Sequence, residues 1–159
     1  MARRKQDPGP YASLELLGRL LEEAKRVADT EDYQITYQLE YRFDLDMAAL
    51  VRNKLEEYEL GDAEIIPDEL GDRGSVELYA EGLPGLINII RFDRFLTEAK
   101  MISALANLQI AELEWNQKHP TLNRFLRSVG LRRDTPLPTI TEVEAEVDFM
   151  YTKAGINFR

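Results

Sequence analysis

TITEVEAEVDFMYTK, residues 139–153, alternates apolar and acidic side chains almost without interruption. Thr141, Val143, Ala145, Val147, Phe149 and Tyr151 fall on one set of positions, and Glu142, Glu144, Glu146 and Asp148 on the other. Period-2 patterning predicts a β-strand, because successive side chains of a strand point to opposite faces of the sheet. The same pattern runs through DYQITYQLEYRFDLD, residues 32–46, where Tyr33, Ile35, Tyr37, Leu39, Tyr41, Phe43 and Leu45 take every second place. If both segments are strands, the fold follows from what lies between them.

Working outward, Leu14, Leu17, Leu20, Leu21, Ala24 and Ala28 recur at helical spacing and predict a helix from Tyr11 to Ala28. Asp46 is placed to cap a second helix running to Leu60, with Gly61 as its stop. Residues 61–74, GDAEIIPDELGDRG, read as an acidic loop. SVELYA (75–80) and LINIIR (86–91) read as two short strands joined by the turn EGLPG. Asp93 then caps the longest helix, to Gln117, and a short basic helix spans Thr121 to Gly130. Setting aside the first helix and the short basic one leaves the order β-α-β-β-α-β. That is the split, ferredoxin-like arrangement, in which the first and last strands are antiparallel neighbours. The expectation is a single α+β domain over 11–159 with a mostly antiparallel four-stranded sheet, preceded by a flexible basic arm over 1–10.

The length of the first strand raises a further point. Thirteen residues from Tyr33 to Leu45 extend roughly 40 Å, about the diameter of a compact domain of this size. A ribbon that long crosses the whole domain or runs past its edge, which makes Tyr33, Tyr41 and Phe43 candidates for contact with a neighbour.

The chain has 159 residues, a net charge of −9 and no cysteine, so disulfides and zinc-thiolate sites are excluded. MARRKQDPGP has no apolar run behind its arginines and the longest apolar patch, Leu86 to Ile90, is far too short to span a bilayer. A soluble cytoplasmic protein is the expectation. Charge is segregated: residues 31–82 hold four basic against fifteen acidic side chains, and residues 83–138 hold eight against five. An acidic body repels phosphate backbones and weighs against nucleic acid as the main partner.

Each candidate site has a plainer reading. Glu142, Glu144, Glu146 and Asp148, about 7 Å apart along one strand face, cannot converge on a metal alone; they read as a solvated face or a dock for a basic segment such as Arg3, Arg4 and Lys5. Asp62, Glu64, Asp68, Glu69 and Asp72 miss the calcium-loop template, since Ile66 and Pro67 occupy places that need a ligand and a glycine. Pro67-Asp68 with Glu98 and Lys100 matches the bare spacing of metal-dependent nucleases, but on a predicted helix residues two apart point to different faces. His119 is the single histidine, with no triad partner placed by the pattern. Arg124, Arg127, Arg132 and Arg133 around Phe125 suit either an anionic partner or a helix C-terminus.

No catalytic set, metal site or cofactor motif emerges. The expectation is a non-catalytic structural or assembly subunit, self-associating or docking into a larger protein complex; a virion or phage head–tail component fits that description. A metal-dependent nuclease and a nucleic-acid-binding module are the alternatives.

Overall fold

The computed structural model describes residues 4–6, 14–28, 35–130 and 137–157. The elements are β1 (Arg4–Gln6), α1 (Leu14–Val27), β2 (Thr36–Asp44), a 3-10 turn (Leu45–Met47), α2 (Ala48–Glu57), β3 (Ile65–Pro67) and β4 (Arg73–Glu81). Three further helices follow: α3 (Gly82–Lys118), α4 (Pro120–Ser128) and α5 (Ile140–Lys153). The chain is a mixed α+β protein that divides into two compact units. One comprises Met1–Leu96 with Phe149–Arg159, the other Thr97–Asp148.

The first unit is built on one sheet, in the order β1-β2-β4-β3. β2 and β4 are antiparallel over their whole length, with Leu39 opposite Leu78 and Tyr41 opposite Val76. β3 adds antiparallel to β4, and β1 adds parallel to β2 beside Tyr37–Leu39. Of the basic arm, residues 4–6 are thus strand, and the rest lies outside the described residues. The alternation of β2 is physical: Tyr37, Leu39, Tyr41 and Phe43 are buried, while the residues between them are half-buried or exposed. Their polar neighbours pair across the outer face, where the Gln38 amide donates to Glu77 and Arg73 lies 3.8 Å from Asp44. Leu17, Leu20, Leu21 and Ala24 of α1 and Val51 and Leu55 of α2 are buried as well, at helical spacing.

Two expected strands are helices, so the ferredoxin-like order does not form. Residues 139–153 fold as α5, which buries Val143, Val147 and Tyr151 and leaves Phe149 66% exposed. Alternation would have buried Ala145 and Phe149 with the other three. A step of four residues is one helical turn instead, and the helix puts 143, 147 and 151 on one stripe. Thr139 starts it: its hydroxyl accepts the Glu142 N–H at 3.2 Å, the first half of a Thr-x-x-Glu capping box. Residues 86–91 likewise belong to α3, a helix of 37 residues, about 55 Å long. Leu86, Ile89, Ile90 and Leu96 are buried at helical spacing. EGLPG is therefore a strand-to-helix corner. Pro84 sits in the first turn, where its missing N–H costs nothing, and Gly82 takes φ +67°. A Cβ on Gly85 would lie 2.7 Å from that of Ala80.

The expected caps also differ. Asp93 lies inside α3, not at its start, and Asp46 lies in the 3-10 turn ahead of α2, whose N-cap is Met47 without a side-chain bond. α2 ends at Glu57, short of the expected Leu60, and its stop is not Gly61 but Glu59, in left-handed conformation at φ 59°, with the Leu60 N–H reaching back to the Leu55 carbonyl at 2.7 Å. The loop over 61–74 contains β3, and Asp68 closes its turn by accepting the Gly71 N–H at 2.8 Å.

Two substitutions test this local chemistry in urea unfolding. Glu59→Gly is expected to stabilise by about 0.5–1 kcal/mol, because only glycine adopts that φ without strain. Gly18→Ala on α1 is expected to destabilise by about 1–3 kcal/mol despite the better helix former, since its Cβ would run into the Ala154 carbonyl oxygen.

Candidate functional site

Among the described residues of the first unit, a carboxylate is buried in the core. Asp93 is 1% exposed and projects from α3 among Leu86, Ile89, Ile90 and Phe92, all buried. A carboxylate so placed must be given donors. The Tyr41 hydroxyl, from β2, donates to Oδ2 at 2.7 Å, and the Tyr151 hydroxyl, from the last turns of α5, donates to Oδ1. Phe92 packs edge-on to Tyr41 at 5.4 Å, and Arg94 lies over the Tyr151 ring at 5.6 Å. Burial pushes the Asp93 carboxyl up from its ordinary 3.8 to about 6, against the two hydroxyls, which favour the charged form and pull it down. Burial, followed by the adjacent Asp93 charge, raises the Tyr41 hydroxyl well above its usual range. Both carboxylate oxygens are engaged by core side chains, which makes the cluster a clasp between strand and helices.

The candidate residues fall in different settings. Tyr41 and Phe43 are fully buried core residues and present no surface to a neighbour. Tyr33 and Arg3 lie outside the described residues; Arg4 and Lys5 lie on β1. Glu142, Glu144, Glu146 and Asp148 sit on α5, so they no longer form one row: 142 with 146 and 144 with 148 share opposite sides of the helix. Glu98 and Lys100 likewise point to different sides of α3, and burial holds the Lys100 ammonium below its usual range. Asp68 is committed to its own turn. Among the described residues no group of three or more His, Asp or Glu side chains is placed to hold a metal ion, and no helix is long and apolar enough to cross a membrane. A shallow cleft of about 440 Å³ beside α1 is lined by Glu15, Arg19, Glu22, Lys25 and Lys153, of mixed charge.

The second unit holds the surface that sequence reasoning missed. His119 breaks the helix and packs its ring, tilted by 46°, against that of Trp115, the ring centres 4.4 Å apart, and Pro120 opens α4 at its first turn. Arg127 of α4 reaches Glu112 of α3 at 3.5 Å, so α4 folds back along α3. Leu122, Phe125 and Val129, on one stripe of α4, are nevertheless 45%, 58% and 50% exposed. On α3, Leu108, Ile110 and Leu113 are 57%, 54% and 61% exposed. The signal was present in the spacing 122, 125, 126, 129, an apolar stripe on a helix whose other side carries Arg124 and Arg127.

No protein-family model, curated protein or solved structure matches this chain.

The Asp93 clasp makes a pH prediction. An acid whose folded value is raised contributes stability that is fully present below its unfolded value and lost as pH rises through the folded one. Relative to Asp93→Asn, which cannot titrate, the wild-type protein should therefore lose about 3 kcal/mol between pH 4 and pH 7, the ordinary 3.8 and the folded 6 setting that window. Paired urea titrations across that range measure it, and a constant gap between the two proteins contradicts it.

Proposed function

We propose that this protein is a non-catalytic assembly subunit that works by associating with copies of itself within a larger protein complex. One observation carries the reading: α3 and α4 leave six large apolar side chains of the second unit about half exposed or more, Leu108, Ile110, Leu113, Leu122, Phe125 and Val129. Single exposed leucines are ordinary, but clusters on adjoining helices mark surfaces that a partner covers. The amphipathic character of α4 strengthens the point. Such a helix gains most of its stability by burying its apolar stripe, and here that stripe faces outward.

Association through these side chains is driven by water released from apolar surface, so salt strengthens it or leaves it intact. Light scattering after size exclusion, at low and at high salt and over a wide range of concentration, is the test. The expected result is a mass that rises with concentration above the 18.3 kDa of one chain and does not fall at high salt. An unchanging monomer in every condition overturns the proposal.

A further inference from the structure

The Asp93 cluster joins two elements that are held very unequally. Tyr41 stands in the middle of β2, which β4 pairs along its whole length. Tyr151 stands near the end of α5, where the helix buries little else. Between residues 149 and 153, Tyr151 is the one fully buried residue; Phe149 is 66% exposed, and Thr152 and Lys153 are exposed too. Beyond the helix, Ile156 is buried and the Ala154 carbonyl lies close against Gly18 of α1.

The charged form of a buried carboxylate needs donors on both oxygens, whereas the neutral carboxyl carries no charge and can itself donate. The groups that face Asp93 are the Tyr41 phenol from β2 and the Tyr151 phenol from α5. The side chains that β4, α1 and α2 bury are apolar, among them Val76 and Leu78, Leu17 and Leu21, Val51 and Leu55. Two cations stand on nearby aromatic rings, Arg94 of α3 over Tyr151 and Lys54 of α2 over Phe95 at 5.5 Å. Burial outweighs the two hydroxyl donors, so the folded carboxyl keeps its proton to about pH 6, against an ordinary 3.8. Ionisation thus works against the closed cluster, and water reaches the charge most cheaply where the cluster is least firmly held. Local openings begin with elements that have few buried apolar contacts, which here means the end of α5 and not β2.

We infer that the last turns of α5 are a pH-sensitive latch, seated through Tyr151 while Asp93 is neutral and released more often once Asp93 ionises. The sign follows from linkage: a group that binds its proton more tightly in the closed form than in the open one favours closure at low pH. With a hydrated, ordinary carboxyl in the open form, the opening constant rises about 50-fold from pH 4 to pH 7.

Amide hydrogen exchange on the full chain over that range, corrected for the intrinsic rate of each amide, reads the latch residue by residue. The amides from Met150 to Lys153 are expected to lose about 50-fold in protection and to exchange faster at every pH than those of β2 and β4. In Asp93→Asn, which cannot titrate, protection of α5 is expected to stay level with pH. Tyr151→Phe keeps the ring and removes the donor on the latch side. Its α5 is expected to open more than that of the wild type, with a larger excess at pH 7 than at pH 4, because the lost hydrogen bond served the charged form. Level protection of α5 in the wild type overturns the inference, and so does an equal excess for Tyr151→Phe at both pH values. Exchange of α5 only together with β2 and β4, at their rate, overturns it as well, since the whole pH response then belongs to global unfolding.

Discussion

A carboxylate taken out of water constrains the whole of the first unit. Asp93 occupies a position on α3 that its helical spacing aims into the core, beside Ile89, Ile90 and Phe92. An ionised carboxylate without donors in such a place costs several kcal/mol. The two phenols that supply them come from opposite ends of the chain, Tyr41 from β2 and Tyr151 from α5. Each must approach in the right register, so the inward alternation of β2, the rotation of α3 and the placing of the last turns of α5 are tied to one group. The Tyr41–Phe92 edge contact and the Arg94 guanidinium over Tyr151 fill the space around it.

The second unit resolves its polar and apolar surface the other way. Its helix α4 meets α3 through an arginine–glutamate pair and turns its leucine, phenylalanine and valine outward. An exposed pair of this kind contributes little, on the order of 0.5 kcal/mol. Full burial of one of those apolar side chains contributes about 1.5–3 kcal/mol. The chain thus keeps the weak ion pair and forgoes the stronger apolar burial. On the open face of the sheet in the first unit Gln38 pairs with Glu77 and Arg42 with Glu40, beside the exposed side chains of Tyr79 and Ile66.

How much of this was legible depended on whether two periods could be told apart. In residues 36–44 they could, because Tyr37, Leu39, Tyr41 and Phe43 sit two apart with Gln, Glu and Arg between them, and no helical stripe accommodates all four. In residues 140–153 they could not by counting alone. Val143, Val147 and Tyr151 are four apart, a spacing that both a strand and a helix place on one face. The discriminating residues were Thr139 and Glu142, which make the start of a helix cap, and Phe149, which a strand would bury and the helix exposes. LINIIR misled for a different reason. A short apolar run is ambiguous between states, and its reading as a strand leaned on taking EGLPG as a hairpin turn when Pro84 suits a first helical turn equally well.

α1, β2, β4 and the break at His119-Pro120 are settled locally, by periodicity and by proline, and so is the segregation of charge. The state of the segments over 86–91 and 140–153, the burial of Asp93 and the outward turn of the α4 stripe are settled by neighbours distant in the chain. The reason is one of magnitude. Intrinsic preferences for helix or strand differ by tenths of a kcal/mol per residue, whereas burying a single leucine or tyrosine against a partner is worth several times that. Where the local pattern admits two answers, the surface that the rest of the chain presents chooses between them.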